Sequence, residues 1–160
     1  MRGICFIGAG KMATAIAGGM VRKNIKTEIH TFDPLPAAAE QFCRTCGGTA
    51  FPSPVAALEN TDVVLLAVKP QYLAGAVEAI RAAIGNRLVI SIVAGATIAA
   101  LETLTGTKRI IRVMPNTPAL VGEGMSCIAA SPAVSEEDLA EAETLLSAVG
   151  LCRRVGENQL

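Results

Sequence analysis

Gly8, Gly10 and Ala13 fall in G-x-G-x-x-A spacing within Gly8-Ala9-Gly10-Lys11-Met12-Ala13, directly after the apolar run Arg2 to Ile7 and at the start of a helix-forming stretch. Glycine at the first position permits a tight turn. Glycine at the second lets another group approach the backbone, and a small last residue lets a helix pack closely on a strand. The free N–H groups and positive dipole end of that helix then face an anion, so the chemistry implied is capture of a pyrophosphate. Asp33, at the end of the second apolar run, can accept the hydroxyls of a ribose and would repel a 2′-phosphate. Pro34-Leu35-Pro36-Ala37 offer no cation in compensation, so these residues favour NADH. A purely local role for Asp33, as a cap before Pro34, stays open.

Other loops that follow apolar runs carry polar groups of use to a ligand. Ala67-Val68-Lys69-Pro70-Gln71 leaves its run at a lysine and a proline that fixes φ; Lys69 is either a site cation or a solvated loop charge. Met114-Pro115-Asn116-Thr117-Pro118 stiffens an amide and a hydroxyl between two prolines, as a polar ligand contact or as a structural turn. With Val93 to Thr97, these are the loops expected beside a ligand in an open α/β sheet. Cys43-Arg44-Thr45-Cys46 sits at a helix C-terminus before Gly47-Gly48, where the dipole disfavours a thiolate, so redox chemistry is not expected there. The single histidine, His30, has no metal or catalytic motif around it. No Ser/His/Asp arrangement or carboxylate pair points to hydrolysis.

Positioning these loops requires strands and helices in alternation. The runs Arg2 to Ile7, Ile29 to Phe32, Val63 to Val68, Leu88 to Val93 and Arg109 to Met114 are unbroken enough to be buried on both faces; Met125 to Ala130 and Leu151 to Val155 follow. Between them, Lys11 to Arg22, Pro36 to Cys46, a short segment capped by Ser53, Gln71 to Ile84, Ile98 to Leu104 capped by Thr97, and a segment opened by Ser135-Glu136-Glu137-Asp138 carry helix punctuation. The last places Leu139, Ala142, Leu146 and Val149 on one face. The pattern predicts an α/β fold, a doubly wound, mostly parallel Rossmann-type sheet with helices on both faces, as one domain over residues 1–155. The tail 156–160 follows a strand with nothing to cover the apolar edge, and a continuation of the chain is expected.

Composition excludes several classes of partner. The 160 residues carry fourteen Lys plus Arg against fourteen Asp plus Glu, and no basic run, so no nucleic acid is expected. Mean hydropathy is +0.47, yet the longest uncharged stretch, Leu88 to Leu101, falls short of the roughly 20 apolar residues of a membrane span. Five cysteines, an odd number, with Cys5, Cys127 and Cys152 in apolar runs, fit free thiols in the cytoplasm rather than a disulfide framework.

The order and spacing of Gly8-Ala9-Gly10-Lys11-Met12-Ala13, Ala67-Val68-Lys69-Pro70-Gln71, Ser91-Ile92-Val93-Ala94-Gly95 and Arg112-Val113-Met114-Pro115-Asn116-Thr117-Pro118, then Val121-Gly122-Glu123-Gly124, resemble the pyrroline-5-carboxylate reductases. The resemblance runs over essentially the whole chain. It implies an oxidoreductase that reduces the cyclic imine pyrroline-5-carboxylate to proline with NADPH or NADH, the last step of proline biosynthesis. It further implies that Gly8, Ala9, Gly10, Lys11 and Met12 hold the pyrophosphate. Ala67, Val68, Lys69 and Pro70 would lie along the nicotinamide ribose and ring, with Ala94 and Gly95 bordering the ring. Met114, Pro115, Asn116 and Thr117 would lie beside the substrate; no catalytic residue and no metal ligand is implied. Where the family commonly has polar or basic residues after the second strand, this chain has Asp33-Pro34-Leu35-Pro36, so use of both cofactors is expected. The family's second domain, a helical dimerisation domain contributing contacts to the substrate carboxylate, would begin at about 156–160, making the whole protein a homo-oligomer. Two other readings of the motifs are a nucleotide-sensing module without chemistry and a β-hydroxyacid dehydrogenase-like reductase, which would need a catalytic lysine on a later helix.

Overall fold

The apolar runs become strands because each is short, rich in Val and Ile, and bounded by turn residues. The computed structural model describes residues 2–116 and 124–160, so Thr117, expected beside the substrate, lies outside the described residues, as do 118–123. Among the described residues the strands are β1 (Gly3–Ile7), β2 (Glu28–Phe32), β3 (Thr49–Ala50), β4 (Val63–Leu66), β5 (Leu88–Ser91), β6 (Ile110–Met114), β7 (Gly124–Ala130) and β8 (Gly150–Arg154). They form one sheet in the order β3-β2-β1-β4-β5-β6-β7-β8. All neighbours are parallel except β6 and β7. The connection from Met114 to Gly124 is shorter than the crossover of about a dozen residues that a parallel return requires.

Among the described residues six α-helices join the strands: α1 (Lys11–Arg22), α2 (Pro36–Cys46), α3 (Pro54–Leu58), α4 (Leu73–Ile84), α5 (Ile98–Thr105) and α6 (Glu136–Leu146). The expected caps are in place: the Ser53, Thr97 and Ser135 hydroxyls accept the N–H groups of Ala56, Ala100 and Asp138. The helix expected from Gln71 begins instead at Leu73, after a 3-10 turn over Pro70–Tyr72. Val149 is buried from a 3-10 turn that follows α6 rather than from the helix itself.

Alternation along the central strands divides the core. On one face Ile4 and Phe6 of β1 pack with Ala13, Ile16 and Met20 of α1, Phe42 of α2 and Leu145 and Leu146 of α6. On the other, Cys5 and Ile7 pack with Leu58 of α3, Val77 and Ile80 of α4 and Leu101 of α5. That is the doubly wound arrangement, and burial of each large side chain contributes about 1.5–3 kcal/mol. β7 alternates between buried and half-buried residues, and edge strand β8 is mostly exposed, with Leu151 at 70%. Among the described residues, no helix is long and apolar enough to cross a membrane.

The start of the central sheet is pinned by Asp62, whose carboxylate accepts the N–H groups of Arg2 at 3.1 Å and Gly3 at 3.2 Å. Burial pushes this carboxyl up, but the Gly3 and Arg2 N–H groups outweigh it and hold it below its ordinary value. A group lowered on folding adds stability above its unfolded pKa and loses it as pH falls through the folded one. Urea unfolding from neutral pH down to about pH 2 should therefore show Asp62→Asn losing roughly 1 kcal/mol less than the wild type, after discounting for solvent screening. Parallel stability curves for the two proteins would refute that role.

Candidate functional site

Strand register sets the site. Ile7 lies opposite Phe32 on one side and Leu66 on the other, Leu66 opposite Ser91, and Ser91 opposite Arg112. The residues one step beyond, Gly8, Asp33, Ala67 and Ile92, thus leave the sheet in a row along its carboxyl edge. The Gly8 N–H donates to the Phe32 carbonyl at 2.9 Å, the Ala67 N–H to Ile7 at 2.8 Å and the Ile92 N–H to Leu66 at 3.1 Å. Strand order reverses between β1 and β4, so the crevice of this α/β sheet opens between the Gly8 and Ala67 turns.

The glycine turn is built for close approach. Gly8 has φ +100, and a Cβ there would sit 2.7 Å from the Ala67 carbonyl oxygen. Gly10 caps α1 with an ordinary extended backbone, φ −76 and ψ −168, and a Cβ there would meet nothing within 4 Å. Unlike α3, α5 and α6, α1 has no side-chain cap. The first N–H groups of a helix need acceptors, and here the free space at Gly10 lets an outside anion supply one. A cleft of about 560 Å³ opens there, lined by Gly10, Lys11 and Thr14 of this turn and helix and by Ala38 and Gln41 of α2.

Asp33 joins this turn to the next. One carboxylate oxygen accepts the Ala9 N–H and the other the Leu35 N–H, each at 2.8 Å. It therefore braces the turn before α2, whose N-cap is Leu35, and holds the glycine loop as well. Each oxygen keeps a lone pair for a further donor.

The remaining expected residues that the structure describes line the same edge. Lys69 and Pro70 are exposed where the Pro70–Tyr72 turn begins, Ala67 and Val68 are half-buried beneath them, and Ala94 and Gly95 are exposed between β5 and α5. Met114, 36% exposed, ends β6, and the Asn116 side-chain oxygen accepts the Met125 N–H at 3.0 Å, tying this loop to β7. Exposed Tyr72, two residues after Pro70, belongs to no sequence motif and reaches this edge through the 3-10 turn.

Other candidates are accounted for structurally. The His30 Nδ1 lies 2.9 Å from the Ala57 carbonyl, and its ring packs on Phe51. All five cysteines are free. Burial pushes the Cys43 and Cys46 thiols up, away from thiolate reactivity, and raises Cys5 to about 12. A second cleft, of about 400 Å³, lies at the amino edge of the sheet among Arg2, Asp62, Arg87 and Arg109. Two of its guanidinium groups serve the fold: Arg87 donates to the carbonyls of Leu58, Thr61 and Ala83, and Arg109 pairs with Asp138 at 2.8 Å.

Comparison with known proteins places the chain among oxidoreductases. Residues 3–95 match the family described as NADP oxidoreductase, coenzyme F420-dependent. The pyrroline-5-carboxylate reductase of Pasteurella multocida is 39% identical over 155 residues, which cover 93% of this chain and 56% of that protein. The solved pyrroline-5-carboxylate reductase of Coxiella burnetii superposes with a TM-score of 0.91 at 31% identity, over 97% of this chain and 59% of that one. That of Plasmodium falciparum, solved with NADP bound, gives 0.86 at 26% identity, over 99% and 59%. The chain thus spans little more than half the length of these relatives. It belongs to the NADP oxidoreductase coenzyme F420-dependent family and shares sequence and fold with pyrroline-5-carboxylate reductases over nearly all its length.

Proposed function

We propose that this chain is the cofactor-holding part of a pyrroline-5-carboxylate reductase. The observation that carries the reading is the row of loops at the carboxyl edge of β1, β4, β5 and β6, above a helix whose N-terminus has no side-chain cap. Room at Gly10 and free N–H groups on α1 fit a dinucleotide pyrophosphate, with Gly8, Ala9, Lys11 and Met12 around it. When bound, NADH or NADPH supplies a hydride. That hydride would reduce a protonated C=N bond to a secondary amine. Such an imine is already electrophilic, so the protein's task is to hold the two partners together and exclude water. Ala67, Val68, Lys69, Pro70, Ala94 and Gly95 frame the nicotinamide side, and Met114, Pro115 and Asn116 border the imine. Contacts to the substrate carboxylate and homo-oligomer formation are assigned to the further length seen in the relatives. The free thiols accord with a cytoplasmic location.

The test is pyrroline-5-carboxylate-dependent consumption of reduced nicotinamide by the full-length gene product that carries this chain. Turnover is the expected result. Dinucleotide binding without turnover would overturn it and leave a nucleotide-sensing module.

Asp33 sets the cofactor balance in this reading. With two of its lone pairs taken by backbone N–H groups, it presents the others and its charge to the adenosine ribose. Asp33→Ser should raise the preference for NADPH over NADH about tenfold, by removing a like charge from the 2′-phosphate. An unchanged ratio of dissociation constants would confine Asp33 to bracing the two turns.

A further inference from the structure

We propose that Glu157 is a positioning residue for the nicotinamide half of the dinucleotide site, acting through the loops on either side of it; this rests on the reading of the site given above. One oxygen of its carboxylate accepts the Ile98 N–H at 2.6 Å and an Arg112 guanidinium N–H at 3.1 Å. Ile98 opens α5, directly after the turn that carries Ala94 and Gly95. Arg112 lies on β6, two residues before Met114, and is only 6% exposed. A single carboxylate therefore ties together the root of the loop that frames the nicotinamide with Ala94 and Gly95 and the root of the loop that borders the imine with Met114.

The bonds are of the strong kind. A buried guanidinium needs an opposite charge, and a carboxylate at a helix N-terminus gains from the dipole and the free N–H groups. Thr97 already serves the Ala100 N–H, and Glu157 adds a partner for the Ile98 N–H at the start of α5. Its own segment is anchored: the Val155 N–H donates to the Ile128 carbonyl at 2.8 Å, and Leu160 packs on the core cluster containing Val93, Ala96 and Ile98. Without the carboxylate, α5 and β6 lose their common tie, while the turn Gly8 to Met12 and Asp33, on the adenosine side, keep every bond they have.

ADP-ribose, which contains the adenosine diphosphate and ribose without the nicotinamide, separates the two halves. Binding of NADH and of ADP-ribose to the 160-residue chain is measured by titration for wild type and Glu157→Ala. The variant should bind NADH about tenfold more weakly, as expected for loops displaced by a fraction of an ångström, with ADP-ribose affinity unchanged within about twofold. Glu157→Gln, whose amide oxygen can still accept from both groups, should recover most of the NADH affinity. Should Glu157→Ala not fold, Glu157→Asp, one methylene too short to reach both partners, should show the same selective loss. Equal loss for both ligands, or no loss for either, would overturn the proposal. Failure of the wild type to bind either ligand would instead overturn the dinucleotide reading, and this inference with it.

Discussion

Gly10→Asp should abolish dinucleotide binding and leave the fold intact. The backbone at Gly10 is ordinary extended chain and a Cβ there meets nothing within 4 Å, so the substitution carries neither strain nor clash. Aspartate is also a favoured N-cap. Its carboxylate would accept the first N–H groups of α1 and stabilise the helix by about 1 kcal/mol, thereby occupying the place of an incoming anion. Losing two charge-assisted hydrogen bonds to a pyrophosphate, at roughly 1.5–3 kcal/mol each, weakens binding by at least about a hundredfold. Nicotinamide fluorescence titration would read the loss, and urea unfolding would show unchanged or raised stability. Undiminished affinity in a folded variant would remove the helix N-terminus from the site.

Gly8→Ala, two residues away in the same motif, should do the opposite and strike the fold itself. At φ +100 an L side chain is strained, and its Cβ would lie 2.7 Å from the Ala67 carbonyl oxygen and 2.9 Å from its carbon. Those backbone atoms cannot retreat freely, because the Ala67 N–H is bonded to the Ile7 carbonyl at 2.8 Å. Strain and overpacking together should cost about 3–5 kcal/mol, read as a fall in the urea midpoint with an unchanged slope. A loss below about 1 kcal/mol would mean that the β1 and β4 turns are not packed as described.

These two glycines mark what the sequence could convey. The G-x-G-x-x-A spacing located the turn, and the short apolar runs located the central strands, because both depend on local residue types. Ser53, Thr97 and Ser135 were readable as caps for the same reason. Which glycine faces backbone and which faces open space was not readable, since that depends on the neighbouring strand. Strand β3 escaped notice because two exposed residues, Thr49 and Ala50, carry no periodicity. The reversed direction of β7 left no mark in its apolar run, which reads the same either way; only the short link to β6 hinted at it. Asp33 was open between a cap and a ligand contact. Its carboxylate braces two turns at once, a local role that leaves lone pairs for a ligand. Glu157 went unremarked because its partners, Ile98 and Arg112, are distant in the chain. Long-range pairing of this kind has no spacing to read.

In the proposed function a dinucleotide lies across the carboxyl edge of the sheet. Titration of the 160-residue chain with NADH, followed through backbone amide NMR shifts, tests it most directly. The expected changes fall on Gly8 to Ala13, Ala67 to Val68, Val93 to Thr97 and Val113 to Asn116, with the cleft around Asp62, Arg87 and Arg109 unaffected. Shifts concentrated in that amino-edge cleft, or absent throughout, would rule out a dinucleotide at the carboxyl edge.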